Sequence, residues 1–393
     1  MEPKRQMSEG KEAWILQTDD IELSVTVAGG MIAPVEFFRR SRQPVQPYYI
    51  SPWQREGLSF DHDPVLNTLR GDFFCMPFGA DNDLPGESHH THGEPVYSQW
   101  QLRSYEKTSA KTYFSASLDT RERPGHITKR IMLDNAHSAL YVEHELSGYS
   151  GSMTLGHHAT LRADHLKPGE MKLSTSPIAF GIGRPDSEGY CGGAEYMSVK
   201  GSQPFSSLDD VPSIWKEPGS IDAGVFPSRK GYGDIIGVAS KGALTDKEQP
   251  PVAWTAAVMA HQGYLWYSLK DPKLLPLLVI WTDYYGRHGE PWNGRNLCIG
   301  LEDVCGYLAE GLAPSMRENP ISQAGVPTVH ALTPEKNLKI PYIQGVIPVD
   351  AHFDRVRTID FQEGTIICTD MNGVSVQAPV QWDMVLKGME WHE

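Results

Sequence analysis

Three segments of this chain concentrate side chains that can exchange protons or hold hydroxyl groups. The first runs Arg70-Gly-Asp72-Phe-Phe-Cys-Met-Pro-Phe-Gly79 and resumes at Ser88-His-His90-Thr-His92-Gly-Glu94, close to Trp100. The second is Leu155-Gly-His157-His158-Ala-Thr160-Leu161. The third extends from Trp281-Thr-Asp283 through Arg287-His288, Trp292-Asn293 and Arg295-Asn296 to Leu301-Glu302-Asp303. Successive residues of a strand point to opposite faces, so only one of His157 and His158 can look into a given cavity. Glu302 follows the short apolar run Leu297–Leu301, where a carboxylate can be partly buried and its pKa moved toward general-base work. The plainer alternative is that Glu302 and Asp303 open a helix, because acids favour its positive N-terminal end.

The spacing His90-x-His92 resembles the paired histidines of cupin metal sites. Glu94 follows them too soon, however, and no second ligand segment appears downstream, so no metal is expected. No GxSxG, P-loop or GxGxxG pattern is present, and no organic cofactor is expected either. A carboxylate and imidazoles rimmed by Trp, Tyr and Asn suit a sugar. Indole rings cover the apolar C–H faces of a pyranose, while charged and amide groups bond its hydroxyls. Arg70, Arg287 and Arg295 are candidates for a phosphate or carboxylate on such a substrate, since an arginine fork suits both. Surface ion pairs are the competing explanation for them.

These side chains must be carried by strands. Period-2 or β-branched and aromatic runs recur at 14–17, 21–27, 96–105, 112–118, 127–133 and 140–146, then at 234–239, 252–259, 264–269, 277–282, 365–369 and 374–376. Turn clusters separate them, and 37 Gly with 29 Pro argue against long helices. Leu140, Val142, His144 and Leu146 share one face and Tyr141, Glu143 and Glu145 the other, the pattern of a half-buried antiparallel strand. The single persuasive helix spans Asp303–Leu312, with Val304, Leu308 and Leu312 on one stripe. Many strands with almost no intervening helix predict an all-β fold, a large antiparallel β-sandwich. With no compositional break, residues 1–393 read as one domain. Its first twelve residues are expected to be flexible, 320–393 to add edge strands, and 183–193 and 202–233 to form long excursions.

Composition narrows the function classes. Asp and Glu number 49 against 35 Lys and Arg, a net charge of −14, which provides no basic footprint for nucleic acid or an anionic membrane. The longest strongly apolar run, 274–281, is far short of the roughly 20 residues that span a bilayer, and the N-terminus has no apolar signal core. Five cysteines without a CxxC pair read as buried free thiols in a reducing cytoplasm. The oligomeric state is not legible.

In these residues the chain resembles the galactose mutarotase-like superfamily, which includes the aldose 1-epimerases. The resemblance begins at Val25-Thr-Val-Ala-Gly29-Gly30-Met-Ile-Ala-Pro-Val-Glu-Phe37, similar to an early hairpin with a tight glycine turn. It continues through Arg70–Gly79 and His92-Gly93, and reaches Glu302 by way of His158, covering about Val25 to Leu312. His157-His158-Ala-Thr-Leu stands where Asn-His-x-Tyr-Phe-Asn is usual, and Leu-Glu-Asp where Leu-Glu is more often followed by Thr or Pro. The resemblance implies a supersandwich fold, a monosaccharide or sugar-derivative substrate, Glu302 as catalytic base and His158 as catalytic acid. Arg70, His92, Asp72, Trp281, Asp283, Trp292 and Asn293 would then bind sugar, with Asp164 a second candidate for the sugar-binding aspartate. Glu302 and His158 would face each other across a pyranose-sized hollow lined by two sheets. Two alternatives stay open: a non-catalytic carbohydrate-binding or sensing module, and a carbohydrate hydrolase or lyase with Glu94 or Asp72 as a second carboxylate.

Overall fold

Antiparallel pairing organises the computed structural model of this chain, which describes residues 2–185, 189–190, 195–244 and 252–391. Among the described residues one sheet has nine strands, in the order Val225–Phe226, Met171–Thr175, Ala253–Met259, Tyr264–Lys270, Leu338–Pro348, Ala139–Ser147, Gly125–Asp134, Lys111–Thr120 and Gln101–Lys107. A second has seven, in the order Pro204–Phe205, Ile178–Gly183, Tyr232–Ser240, Leu277–Tyr284, Leu297–Cys305, Leu155–Arg162 and Phe74–Cys75. Alternation along each strand decides which residues meet between them. Leu140, Val142, Ile131 and Leu133 from the first sheet pack with Leu155, Ala159, Ile299, Leu301 and Ile280 from the second. This is an all-β sandwich with few short helices.

Both sheets are also covered on their outer faces. Met132, Tyr141, Leu265 and Tyr267, on the far side of the nine-stranded sheet, pack under a three-stranded C-terminal sheet (Val356–Gln362, Thr365–Asp370, Ser375–Pro379) and the helical turn Met384–Lys387. That cover explains why Ala139–Ser147 is buried on both faces rather than on one: Tyr141 and Glu143 are as inaccessible as Leu140 and Val142. The outer face of the seven-stranded sheet carries Leu277, Val279, Trp281, Cys298 and Val304. Loop residues such as Trp53, Leu66, Phe73 and Trp292 close over it.

Several expectations change. Asp303–Cys305 finishes the strand Leu297–Cys305 instead of opening a helix, and only Leu312–Ser315 is helical nearby. The spacing of Val304, Leu308 and Leu312 is met equally by a strand followed by a turn. Asp303 is fully buried against Lys270, and the left-handed backbone at Leu308 and Gly311 forbids a continuous helix. From Lys4 onward the stretch expected to be flexible is held in strands instead. Lys4–Ser8 pairs with Lys11–Gln17 in a four-stranded N-terminal sheet that continues through Ile21–Thr26 and Ile32–Phe37. Gly29 and Gly30, both at positive φ, turn the chain between the last two of these strands. Cys75, Cys298, Cys305 and Cys368 are buried free thiols; Cys191 and part of the excursion at 183–193 lie outside the described residues. Among the described residues no helix is long and apolar enough to cross a membrane.

Candidate functional site

His158 and Glu302 are directly opposed residues of neighbouring strands, Leu155–Arg162 and Leu297–Cys305. Directly opposed residues of an antiparallel pair project from the same side of the sheet, here the loop-covered one. His158 Nε2 lies 3.2 Å from Glu302 Oε1, and His158 Nδ1 lies 3.1 Å from the Thr160 hydroxyl two residues along the same face. The ring of Phe73 stacks on the imidazole at 4.4 Å with an interplanar angle of 20°. The pair is 5% and 3% exposed respectively. Burial pushes the Glu302 carboxyl well above its ordinary value. It also holds His158 well below the ordinary imidazole range, with His92 adding to that effect. Both directions favour a neutral dyad that holds one proton between its two members.

Glycine makes room for this arrangement. A Cβ on Gly300 would stand 2.6 Å from Glu302 Oε1 and 3.2 Å from the Trp281 ring, so the carboxylate folds back over a position where only hydrogen fits.

The dyad sits at the base of a cavity of about 330 Å³, near the lower end of the roughly 300–1,000 Å³ usual for small-molecule sites. Ile235, Val279 and Trp281 from the same sheet supply its apolar floor. Trp281 and Trp292 meet edge to face at 5.4 Å, and Trp53 buttresses Trp292 at 4.9 Å. His92 enters from a left-handed turn, next to a Gly93 whose Cβ would strike the Met76 carbonyl at 2.0 Å. Its Nδ1 accepts from the Gly79 N–H at 3.4 Å, a long contact that favours the tautomer with a proton on Nε2. Burial, reinforced by Arg287, pushes the His92 pKa down to about 3, so this ring is neutral. Arg287 lies over the Trp292 ring, 4.6 Å from its centroid. Asp63, Asp81, Arg184 and Glu195 complete a polar rim.

The structure therefore brings together Glu302, His158, His92, Trp281 and Trp292. The hollow itself is not where it was expected. The space between the two large sheets is filled with side chains, and the cavity opens instead on the outer face of one sheet, beneath loops. Four expected sugar ligands lie elsewhere. Arg70 is fully buried; its guanidinium donates to the carbonyls of Ser8 (3.0 Å) and Glu9 (2.8 Å), which ties the N-terminal hairpin to the body. Asp72 faces the interior and bonds His157 Nδ1 at 3.0 Å, which answers which histidine of the pair meets the cleft. Asp283 is buried beside the cavity without lining it, and its Oδ1 accepts from the N–H groups of Gly286 (2.9 Å) and Arg287 (3.3 Å). Asn293 is exposed at a positive-φ turn.

Asp164 and Arg295 also fall outside. Asp164 is clamped by Arg162 and Arg295 by Glu56, both at a different surface cleft. The His90, His92 and Glu94 side chains diverge: Glu94 accepts from the N–H groups of Arg121 and Glu122, while His90 packs outside against Tyr97. Asp63, Asp81, Arg184 and Glu195 had no local signal, because each reaches the cavity from a separate loop. Phe73 and Thr160 stood inside the segments singled out in the sequence, but no spacing marks a stacking partner or a ring-orienting hydroxyl.

No family model matches the sequence, and no curated protein does. Solved structures do resemble it. A candidate aldose 1-epimerase from Klebsiella pneumoniae superposes with a TM-score of 0.60 at 11% identity, covering 88% of this chain and 82% of its own. A galactose mutarotase-like protein from Clostridium acetobutylicum gives 0.58 at 10% identity, covering 88% and 98%. A candidate mutarotase from Salmonella typhimurium gives 0.57 at 11% identity, covering 88% and 93%. At such identities the shared property is the architecture: this chain has the galactose mutarotase-like fold.

Proposed function

We propose that the protein interconverts the anomers of an aldose by acid–base ring opening. The observation that carries this reading is the 3.2 Å contact between His158 Nε2 and Glu302 Oε1 at the base of an aromatic, monosaccharide-sized cavity. The anomeric O1 and the ring O5 are attached to the same carbon, so groups that serve them must stand side by side. Transfer of the dyad's proton from Glu302 to His158 Nε2 across their 3.2 Å contact prepares the pair. Glu302, then a carboxylate, takes the proton from O1. His158, as imidazolium, gives its Nε2 proton to O5. The C1–O5 bond breaks, its electron pair goes to O5, and a pair from O1 completes the aldehyde. The dyad is then a neutral acid beside a neutral imidazole. Rotation about C1–C2 presents the other carbonyl face; Glu302 returns its proton to O1 while His158 removes the proton from O5.

One proton suffices throughout, and it moves between two forms of the same pair. Thr160 fits both forms, because its hydroxyl accepts from Nδ1–H in either. His92 donates from Nε2 to a hydroxyl, and Trp281 and Trp292 cover the sugar's C–H faces. None of these steps requires a cofactor.

Polarimetry on a panel of aldoses tests the reading. Glu302→Gln and His158→Asn are each expected to lower kcat by about 10²–10⁴-fold, with sugar binding retained in calorimetry. A native protein that binds an aldose yet interconverts it no faster than buffer would refute the enzyme and leave a sugar-binding module. Reducing ends released from an oligosaccharide would indicate a hydrolase or lyase instead, although Asp72 and Glu94 are both committed elsewhere.

A further inference from the structure

We propose that Asp72 and His157, neither of which reaches the cavity, form an interior clamp that positions the His158 imidazole for proton transfer. The proposal rests on the acid–base reading of His158. The segment Gly71–Cys75 runs beside the His158 strand: His158 N–H donates to the Phe73 carbonyl and Thr160 N–H to the Gly71 carbonyl, both at 2.9 Å. Residues on this segment alternate between the two faces of the sheet. Phe73 is buried on the loop-covered face and lies flat against His158, whereas Asp72 and Phe74 face the interior. Directly behind the stack, Asp72 Oδ2 meets His157 Nδ1 at 3.0 Å. The same two stretches of backbone are thus joined twice side chain to side chain, once on each face. Any slip of Asp72 relative to His157 carries Phe73 and its carbonyl with it, and so tilts the catalytic ring.

His157 can serve as the anchor because its own ring is immobilised. It stacks on Tyr342 at 4.1 Å and 23°, has His144 at 5.0 Å, and meets the edge of Phe74 at 5.8 Å. The energetics point the same way. Asp72 is 1% exposed and His157 fully buried, yet Asp72 Oδ1 and His157 Nε2 have no hydrogen-bond partner. A buried carboxylate–imidazole pair with two unsatisfied atoms is a poor source of stability, since apolar groups of the same shape would serve as well or better. What it provides that an apolar pair does not is direction, because the hydrogen bond fixes the register of two side chains to a fraction of an ångström. Misplacement of a reacting group by about 1 Å can cost about 100-fold in rate.

The test follows the His158 ring itself. Imidazole nitrogens are labelled with 15N, and native protein is compared with Asp72→Asn, Asp72→Ala and His157→Phe, the last of which keeps the ring volume and the stack on Tyr342. The clamp predicts shifted His158 nitrogen resonances in all three variants. It also predicts a fall in kcat of about 10- to 100-fold in Asp72→Ala and His157→Phe, with KM changed by no more than about twofold. Asp72→Asn, whose amide oxygen can still accept from His157, should recover part of the loss. A folded Asp72→Ala or His157→Phe with unshifted His158 resonances overturns the proposal, whatever its melting temperature. If Asp72→Ala does not fold, His157→Phe decides alone. A native protein without activity on any aldose defeats the mutarotase reading, but the resonances still judge the clamp.

Discussion

A carboxyl group and an imidazole that share one proton in a dry pocket titrate as a pair, and burial sets the window in which they work. On the proposed mechanism, activity is expected to be lost in acid when a second proton reaches His158. Burial lowers that imidazole's pKa, so the acid limb of kcat is expected below the ordinary imidazole value of about 6.5. It is lost in base when Glu302 gives up its proton, and burial raises that value above the ordinary carboxyl range. A kcat profile that begins to fall from neutrality toward pH 6 would contradict this. Gly300 provides a second handle on the same carboxylate. The atom that a new Cβ would meet is the mobile end of Glu302, so Gly300→Ala should fold and bind sugar but lose about 10²-fold or more in kcat. Unchanged turnover in that variant would mean that the carboxylate is not held where the geometry places it. Asp283 offers a stability test. Burial pushes its carboxyl up to about 7, against the pull of the Gly286 and Arg287 N–H groups. A raised folded pKa gives stability that is present below the unfolded value of about 3.9 and lost as pH rises through 7, by at most about 4 kcal/mol. Asp283→Asn keeps the acceptor oxygen and should remove that slope, so urea midpoints of native and variant should converge in acid and separate toward pH 7, with the variant the more stable. Parallel curves would rule out a buried, proton-holding Asp283.

At the scale of strands, the same alternation that presents Glu302 to the cavity turns Asp303 inward, where it joins the two sheets. Its Oδ2 accepts from Ser268 and Tyr342 at 2.7 and 2.8 Å, and its Oδ1 pairs with Lys270 Nζ at 2.5 Å. Removing only the cation leaves a buried charge, which typically costs about 3–5 kcal/mol. Lys270→Met should therefore lower the unfolding free energy by about that amount, measured in urea, while sugar binding persists in the folded fraction. A loss below about 1 kcal/mol would show that the Lys270 pair is not what holds Asp303 between the sheets. Alternation also marks the limit of what the residues disclose by themselves. It identified twelve of the 31 strands among the described residues, missing Leu338–Pro348 inside the nine-stranded sheet, and it required one of His157 and His158 to face away from any cavity, because period 2 is a local property. It could not show that Asp303 continues a strand, since Val304, Leu308 and Leu312 satisfy a helical stripe as well, and the deciding partner, Lys270, is distant in sequence. Arg70 and Asp72 were misplaced for a related reason: a charged side chain beside a catalytic segment looks the same whether it meets solvent, substrate or a buried carbonyl. Only the pairing of Gly71–Cys75 with the His158 strand decides which of its residues point inward.

Over the whole molecule, acidic groups outnumber basic ones by 14, and the cavity repeats this bias. Asp63, Asp81, Glu195 and Glu302 line it with two arginines, of which Arg184 is held by Glu310 at 2.7 Å and Arg287 lies on Trp292. Glu302 carries little charge while it keeps the dyad's proton, but the rim carboxylates and the long-range field both oppose an anion. Neutral indole faces and a neutral His92 suit an uncharged pyranose. The expected preference is thus for a neutral aldose over the same sugar carrying a 6-phosphate or a uronic carboxylate, by about tenfold or more in kcat/KM at low ionic strength. Because the repulsion acts largely through solvent, it should weaken as the Debye length shrinks from about 30 Å at 0.01 M salt to about 3 Å at 1 M, and the discrimination should narrow across that series. A phosphorylated sugar turned over faster than its neutral parent at low salt, with the advantage fading on salt addition, would reverse the assignment. Arg287 would then be the anion's partner, and Arg287→Met should abolish the advantage without affecting turnover of the neutral sugar by more than a few-fold.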